Sequence, residues 1–200
     1  MKKSINYSIL DYSNIAQYIW VGQRYKNWYK DCTDILIEIF GDKNLDLVSS
    51  LIAATSINTS LKSNITLFKK AYTEFKEGRE FSNYLPIIKT QLEQIRSGKG
   101  LTGRKISSFA KSLAGDKNAV VVDLWMLRAF GIDKKRGATK REYDTIEAYI
   151  TEQAHIMGLH PCELQAIIWV GIRKIQTGSV DNSFEYMLRY NFNNLFSNII

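Results

Sequence analysis

"EQIRSGKGLTGRKISSFAKSL", residues 93–113, is the stretch from which the rest of the chain can be read. Apolar residues at helical spacing, Leu85, Ile88, Leu92 and Ile95, lead into it and stop at Ser97. Gly98, Gly100 and Gly103 then turn the chain tightly, and a second stripe, Ile106, Phe109, Ala110 and Leu113, runs on to Gly115. A helix that opens from such a turn has backbone N–H groups with no intrahelical acceptor, and its dipole favours an anion there. The same turn carries two cations, Arg104 and Lys105, which cost about 0.3–1 kcal/mol against the dipole unless an anion lies beside them. Lys99, Gly100, Thr102, Gly103 and Arg104 are therefore candidate phosphate contacts, with DNA as the expected partner.

The chain has 200 residues, of which 45 % are hydrophobic, enough for a core of ordinary size in one compact unit of two lobes. Its formal charge is +7, with the cations concentrated between Lys89 and Arg141, which favours an acidic partner; a merely solvated basic surface is the plainer alternative. Cys32 and Cys162 stand far apart and form no CxxC pair, so no zinc or iron–sulfur site is expected from them, and a reducing compartment fits. The opening stretch MKKSINYSILDYSNIAQYIW has no sustained apolar run, and no segment approaches the ~20 apolar residues of a membrane span. The expectation is a soluble, unexported, cytoplasmic and DNA-associated protein.

Helices are expected throughout. Pro86 and Pro161 sit where helices can start, and Trp28, Ile35, Leu36, Ile39 and Phe40 recur at helical spacing up to Gly41. Leu47, Val48, Leu51 and Ile52 mark the next helix. Asn58 or Thr59 is expected to cap another, with the stripe Leu61, Ile65, Phe68 and Tyr72 and an end near Gly78. Ala119 to Val122 is the only strand-like run, too short to need a sheet. Helices are expected at about 139–157, 161–176 and 182–198, making about ten short helices in an all-α chain.

Lys105 is placed for more than binding. A lysine has a reference pKa of about 10.4, so at neutral pH only a trace is the nucleophilic amine; a helix N-terminus, Arg104 beside it and partial burial all act to lower that value. Such a lysine can serve Schiff-base chemistry, and the plainer role is a phosphate-contacting or solvated lysine. Asp123 follows the apolar run "AVVV" and heads the helix "LWMLRAFG", where amide hydrogen bonds would keep its carboxylate ionised; the plainer role is an ordinary helix cap.

Lys105 and Asp123 are 18 positions apart. With "LTGRK" and "VVVDLWMLR", this pattern resembles the helix–hairpin–helix DNA glycosylases, the superfamily of endonuclease III and the 8-oxoguanine glycosylases. The segment "GRKISSFAKSL…VVVDLWMLRAFG" looks closest to the archaeal-type 8-oxoguanine glycosylase/AP lyases, and Arg128 matches an arginine of that group. "AATSINTSLKSN" at 53–64 and "QAIIWV" at 165–170 are similar to a group of small phage proteins. The likeness runs in order from about residue 45 to 173, with the hairpin-to-Asp123 segment its specific part. Three positions depart from the family's pattern. Leu101-Thr102-Gly103 replaces the usual Gly-x-Gly, Trp125 replaces a common histidine, and the closing "FSNII" carries no counterpart of the lysine with which archaeal-type enzymes read oxidised guanine, so the lesion is not carried over.

The resemblance implies a two-lobed, all-α helix–hairpin–helix glycosylase fold. One lobe would span 44–118, with the helix–hairpin–helix at 84–115, and the other would combine 1–43 with 119–200. The implied function is a bifunctional DNA glycosylase/AP lyase acting as a monomer on double-stranded DNA with a damaged base, oxidised bases being first candidates, or an abasic site. Lys105 would attack the flipped-out sugar and Asp123 would stabilise its positive charge, with no metal or organic cofactor required. Ser56 and Asn58 would touch DNA from the loop they share with Thr55 and Asn64, or simply cap a helix. Trp125, Trp169 and Arg128 would line the base pocket, whereas tryptophans at helical spacing, Trp20 and Trp28 among them, are expected mostly in the core. His155 and His160 are too isolated for a metal, and His160 reads as a helix-entry residue. The alternatives are a non-catalytic DNA-binding protein that keeps the fold, and a protein–protein adaptor.

Overall fold

The computed structural model describes residues 7–178 except 134, together with Leu188. Among these the chain is all-helical: α1 (Ile15–Gly22), α2 (Trp28–Phe40), α3 (Leu45–Thr55), α4 (Leu61–Lys76), α5 (Pro86–Arg96), α6 (Arg104–Leu113), α7 (Leu124–Ala129), α8 (Lys140–Ile156) and α9 (Pro161–Thr177). Of the helix expected at 182–198 only Leu188, helical and buried, is among the described residues, and the closing "FSNII" lies outside them. Pro86 and Pro161 both occupy the first turn of their helices, where a missing N–H costs nothing. His160 enters α9 as its N-cap, its backbone N–H donating to Glu163 Oε2 at 2.8 Å.

Two compact units emerge. One comprises residues 1–29 and 116–181, the other residues 30–115 and 182–200. The first boundary falls inside α2, not at the expected 43/44. The reason is the far end of α2, where the Phe40 ring packs 5.7 Å from Phe68 and 4.9 Å from Tyr72 and so ties the helix to α4.

In the unit of residues 30–115, α3 is the central element. It is buried from Leu51 through Thr55 as well as at Val48 and Ser49, and packs against α4, α5 and α6. A helix apolar on nearly every side has to be enclosed in this way. Its polar end is closed internally, because Thr55 Oγ1 donates to Asn64 Oδ1 at 2.6 Å and both side chains are buried. The cap of α4 is Ser60, which accepts from Ser63 N–H, and not Asn58 or Thr59. Thr59 turns its hydroxyl back to the Thr55 carbonyl, and Asn58 adopts a left-handed backbone, φ 56°, so neither is in position to cap.

The other unit is built on α1 and α9. Leu10, Ile15, Tyr18, Met126, Leu127, Phe130, Ile146, Ile150, Leu164, Ile168 and Ile172 form its core. Helices α1 and α9 meet at two glycines: a Cβ built on Gly22 would lie 1.9 Å from the Ile167 carbonyl oxygen, and one on Gly171 would lie 2.0 Å from that of Tyr18. Helix α1 was not anticipated from the sequence, although Ile15, Tyr18 and Gly22 share one face. The strand-like run 119–122 forms no strand. All four residues are buried, and the Tyr143 hydroxyl serves in place of a neighbouring strand, donating to the Val120 carbonyl at 2.7 Å and accepting from Val122 N–H at 3.4 Å.

Candidate functional site

The hairpin between α5 and α6 is assembled from local rules. Helix α5 closes when Gly98 N–H returns to the Ile95 carbonyl and Lys99 N–H to that of Gln94, the pairing that a left-handed residue after the helix end permits. Gly98 and Gly100 have φ of 72° and 75°, and a Cβ on either would meet nothing within 4 Å, so backbone conformation and not crowding selects glycine. Gly103, φ 97°, is the N-cap of α6. It brings no side-chain oxygen to the first-turn amides, and that turn holds no acidic residue. Lys99, Gly100, Thr102, Gly103 and Arg104 are exposed, and Lys105 is half-buried.

A glutamine braces this turn. Gln91, 4 % exposed on α5, donates from Nε2 to Thr102 Oγ1 at 2.6 Å and accepts Thr102 N–H on Oε1 at 2.9 Å. The pair holds the backbone of the turn just after Leu101. The sequence showed Gln91 only as one polar position on a helix, because its partner lies across the turn. Gln91→Ala should leave the fold intact, cost about 1 kcal/mol and speed hydrogen exchange at Thr102 by about fivefold, read by exchange NMR.

Ser56 and Asn58 belong to the same unit as the hairpin. Ser56 ends α3, its Oγ donating to the Ala53 carbonyl at 2.7 Å, and is half-buried; Asn58 is exposed. Their neighbours Thr55 and Asn64 are buried against one another, and Asn64 Nδ2 meets no hydrogen-bond partner among the described residues.

Asp123, Trp125, Arg128 and Trp169 lie in the other unit and come together there. Asp123 is the N-cap of α7, with Oδ1 accepting Met126 N–H at 2.9 Å and Oδ2 accepting Trp169 Nε1–H at 2.9 Å. The Arg128 guanidinium sits 5.0 Å from the Trp125 ring centroid, and Arg173 sits 4.4 Å from that of Trp169 and 5.8 Å from that of Trp125. Trp28 packs 5.7 Å from Trp169. Tryptophans were expected mostly in the core, but none is fully buried: Trp20 is 74 % exposed, and Trp28, Trp125 and Trp169 are half-buried in this cluster. An indole N–H needs a polar partner and a guanidinium needs an open edge to water, which keeps such a cluster near the surface. Arg173 was missed, although its place four residues after Trp169 on one helix face was legible.

Cys32 and Cys162 are free and buried, and burial is the main cause that pushes the Cys162 thiol up to about 11, so it stays protonated at neutral pH. Among the described residues no helix is long and apolar enough to cross a membrane.

Residues 9–176 match the model of a family described as a family of unknown function (DUF7178). The chain belongs to this family. Its matched span takes in the hairpin, Lys105, Asp123 and the whole tryptophan–arginine cluster. No curated protein and no solved structure matches the chain.

Proposed function

We propose that the chain is a helix–hairpin–helix DNA glycosylase with a coupled lyase step, acting on duplex DNA that carries a damaged base or an abasic site. The hairpin carries this reading. Gly98, Gly100 and Gly103 all have positive φ, Gly103 is the N-cap, and Arg104 and Lys105 stand in a first turn that holds no acidic residue, a combination suited to receiving a phosphate. Lys99 and Arg104 supply charge to the phosphates, and the glycines let the backbone approach them.

Lys105 is the nucleophile of the proposal. Its amine nitrogen bonds to the sugar C1′ while the C1′–N bond to the base breaks, the base leaving with the electron pair and taking up a proton. Loss of the amine proton and opening of the sugar ring give the Schiff base, from which loss of a C2′ proton expels the 3′ phosphate. Asp123 contributes a fixed negative charge that offsets the positive charge developing on the sugar. Trp125, Trp169 and Arg128 offer ring faces and a cation for an extruded base.

One observation favours a second reading, a DNA-binding protein without chemistry: both oxygens of Asp123 are already engaged within their own unit. Borohydride trapping on duplexes containing an abasic site, 8-oxoguanine or an oxidised pyrimidine separates the two. The enzymatic reading expects a covalent adduct on at least one duplex. Absence of any adduct, with salt-sensitive binding intact, selects the second reading, and absence of both leaves the adaptor.

A further inference from the structure

An N-cap aspartate needs one hydrogen bond to do its work, from Oδ1 to an amide two or three residues on. Asp123 makes that bond to Met126 N–H at 2.9 Å and then a second one, from the opposite oxygen to the indole of Trp169, a residue 46 positions away on α9 and also at 2.9 Å. The second bond adds nothing to the cap. The indole is itself held in place, with the Arg173 guanidinium 4.4 Å from its centroid and Trp28 at 5.7 Å. Arg173 bridges on to Trp125 at 5.8 Å, and Trp125 to Arg128 at 5.0 Å.

We propose that Trp169 is a positioning residue whose indole N–H fixes the rotation of the Asp123 carboxylate, with Arg173 and Trp28 holding the indole. The inference rests on the reading of Asp123 as the charge that stabilises the reacting sugar. One bond leaves a carboxylate free to turn about its Cβ–Cγ axis. Two bonds to opposite oxygens stop that rotation and aim the remaining lone pairs in set directions. A charge already aimed need not reorganise as the sugar becomes cationic, which is where a fixed carboxylate gains over a mobile one.

Trp169→Phe removes the donor and keeps a ring. Single-turnover base release should fall by about tenfold, while duplex affinity stays within about twofold of the original chain. Asp123→Ser keeps a capping oxygen and loses the carboxylate. In that background Trp169→Phe should change base release by less than about twofold, since no carboxylate remains to be aimed. Full-rate release in Trp169→Phe overturns the proposal, and so do additive losses in the double variant, which would mean the ring merely packs. The contact is read separately, as movement of the Trp169 indole 15N–1H resonance in Asp123→Ser; an unmoved resonance also overturns it. If the original chain neither releases a base nor cleaves abasic DNA, the enzymatic reading falls and this proposal with it, and a moved indole resonance would then leave the contact as packing between α7 and α9.

Discussion

Gly171→Ala should lower the stability of the α1/α9 unit by at least about 3 kcal/mol. The competing effects can be weighed. Alanine is the better helix former by about 1 kcal/mol, so propensity alone would stabilise α9. Against this, the new methyl would lie 2.0 Å from the Tyr18 carbonyl oxygen and 2.8 Å from its Cα, and these are backbone atoms of a packed helix that cannot swing aside as a side chain can. Relief requires α1 to move off α9, which loosens Ile15 and Tyr18 from Ile168 and Ile172 across the unit's core. The clash therefore decides the sign. All four tryptophans belong to this unit, so urea unfolding followed by tryptophan fluorescence reports it directly. Gly137→Ala is the control: its Cβ meets nothing within 4 Å, and its midpoint should stay within about 0.5 kcal/mol of the original. Equal midpoints for the two variants would show that the helices do not meet at Gly171.

If Lys105 is the nucleophile, as proposed, Lys105→Gln should reduce borohydride trapping by at least about a thousandfold, because a carboxamide cannot form a Schiff base. Duplex affinity should fall less than about tenfold and the salt slope by no more than about one, the share of a single phosphate contact. Arg104→Gln should do the opposite, lowering affinity and slope while leaving an adduct to be trapped once the DNA is saturating. The contrast separates nucleophile from phosphate ligand among adjacent cations in one helical turn. A Lys105→Gln chain that cleaves abasic DNA as well as the original would show that another residue is the nucleophile.

The hairpin was legible because everything that shapes it lies within a few residues. Glycine at 98, 100 and 103, proline at 86 and the flanking apolar stripes act locally, and each does in the structure what its position implied except Leu85, which caps α5 and is exposed. The caps were legible to within a residue or two. His160 enters α9 as expected and α8 begins within a residue of the expected 139, whereas the start of α4 moved to Ser60 once Thr59 turned its hydroxyl backwards. The run 119–122 has the composition of a buried strand and is buried, but a composition cannot say that a tyrosine hydroxyl from α8 will meet its backbone groups.

Within the candidate site, the sequence reading grouped Trp125, Trp169 and Arg128 as a base pocket and named Asp123 separately, without the contacts that link them. Trp125 with Arg128, and Trp169 with Arg173, are neighbours by helical period and could be read off the chain. The bond from Trp169 to Asp123, the approach of Trp28, and the brace from Gln91 to Thr102 depend on chain segments meeting, as does the contact of Gly22 and Gly171 with opposing backbone.

What the sequence determined by itself is the helical character of the chain, its breaks, and the charged glycine turn, since periodicity, capping and backbone freedom act over a few residues. What only the tertiary structure decided is which unit α2 joins, why two helical glycines are required, and which partner holds each oxygen of Asp123. Those depend on side chains and backbones brought together from distant parts of the chain, and no local preference encodes such meetings.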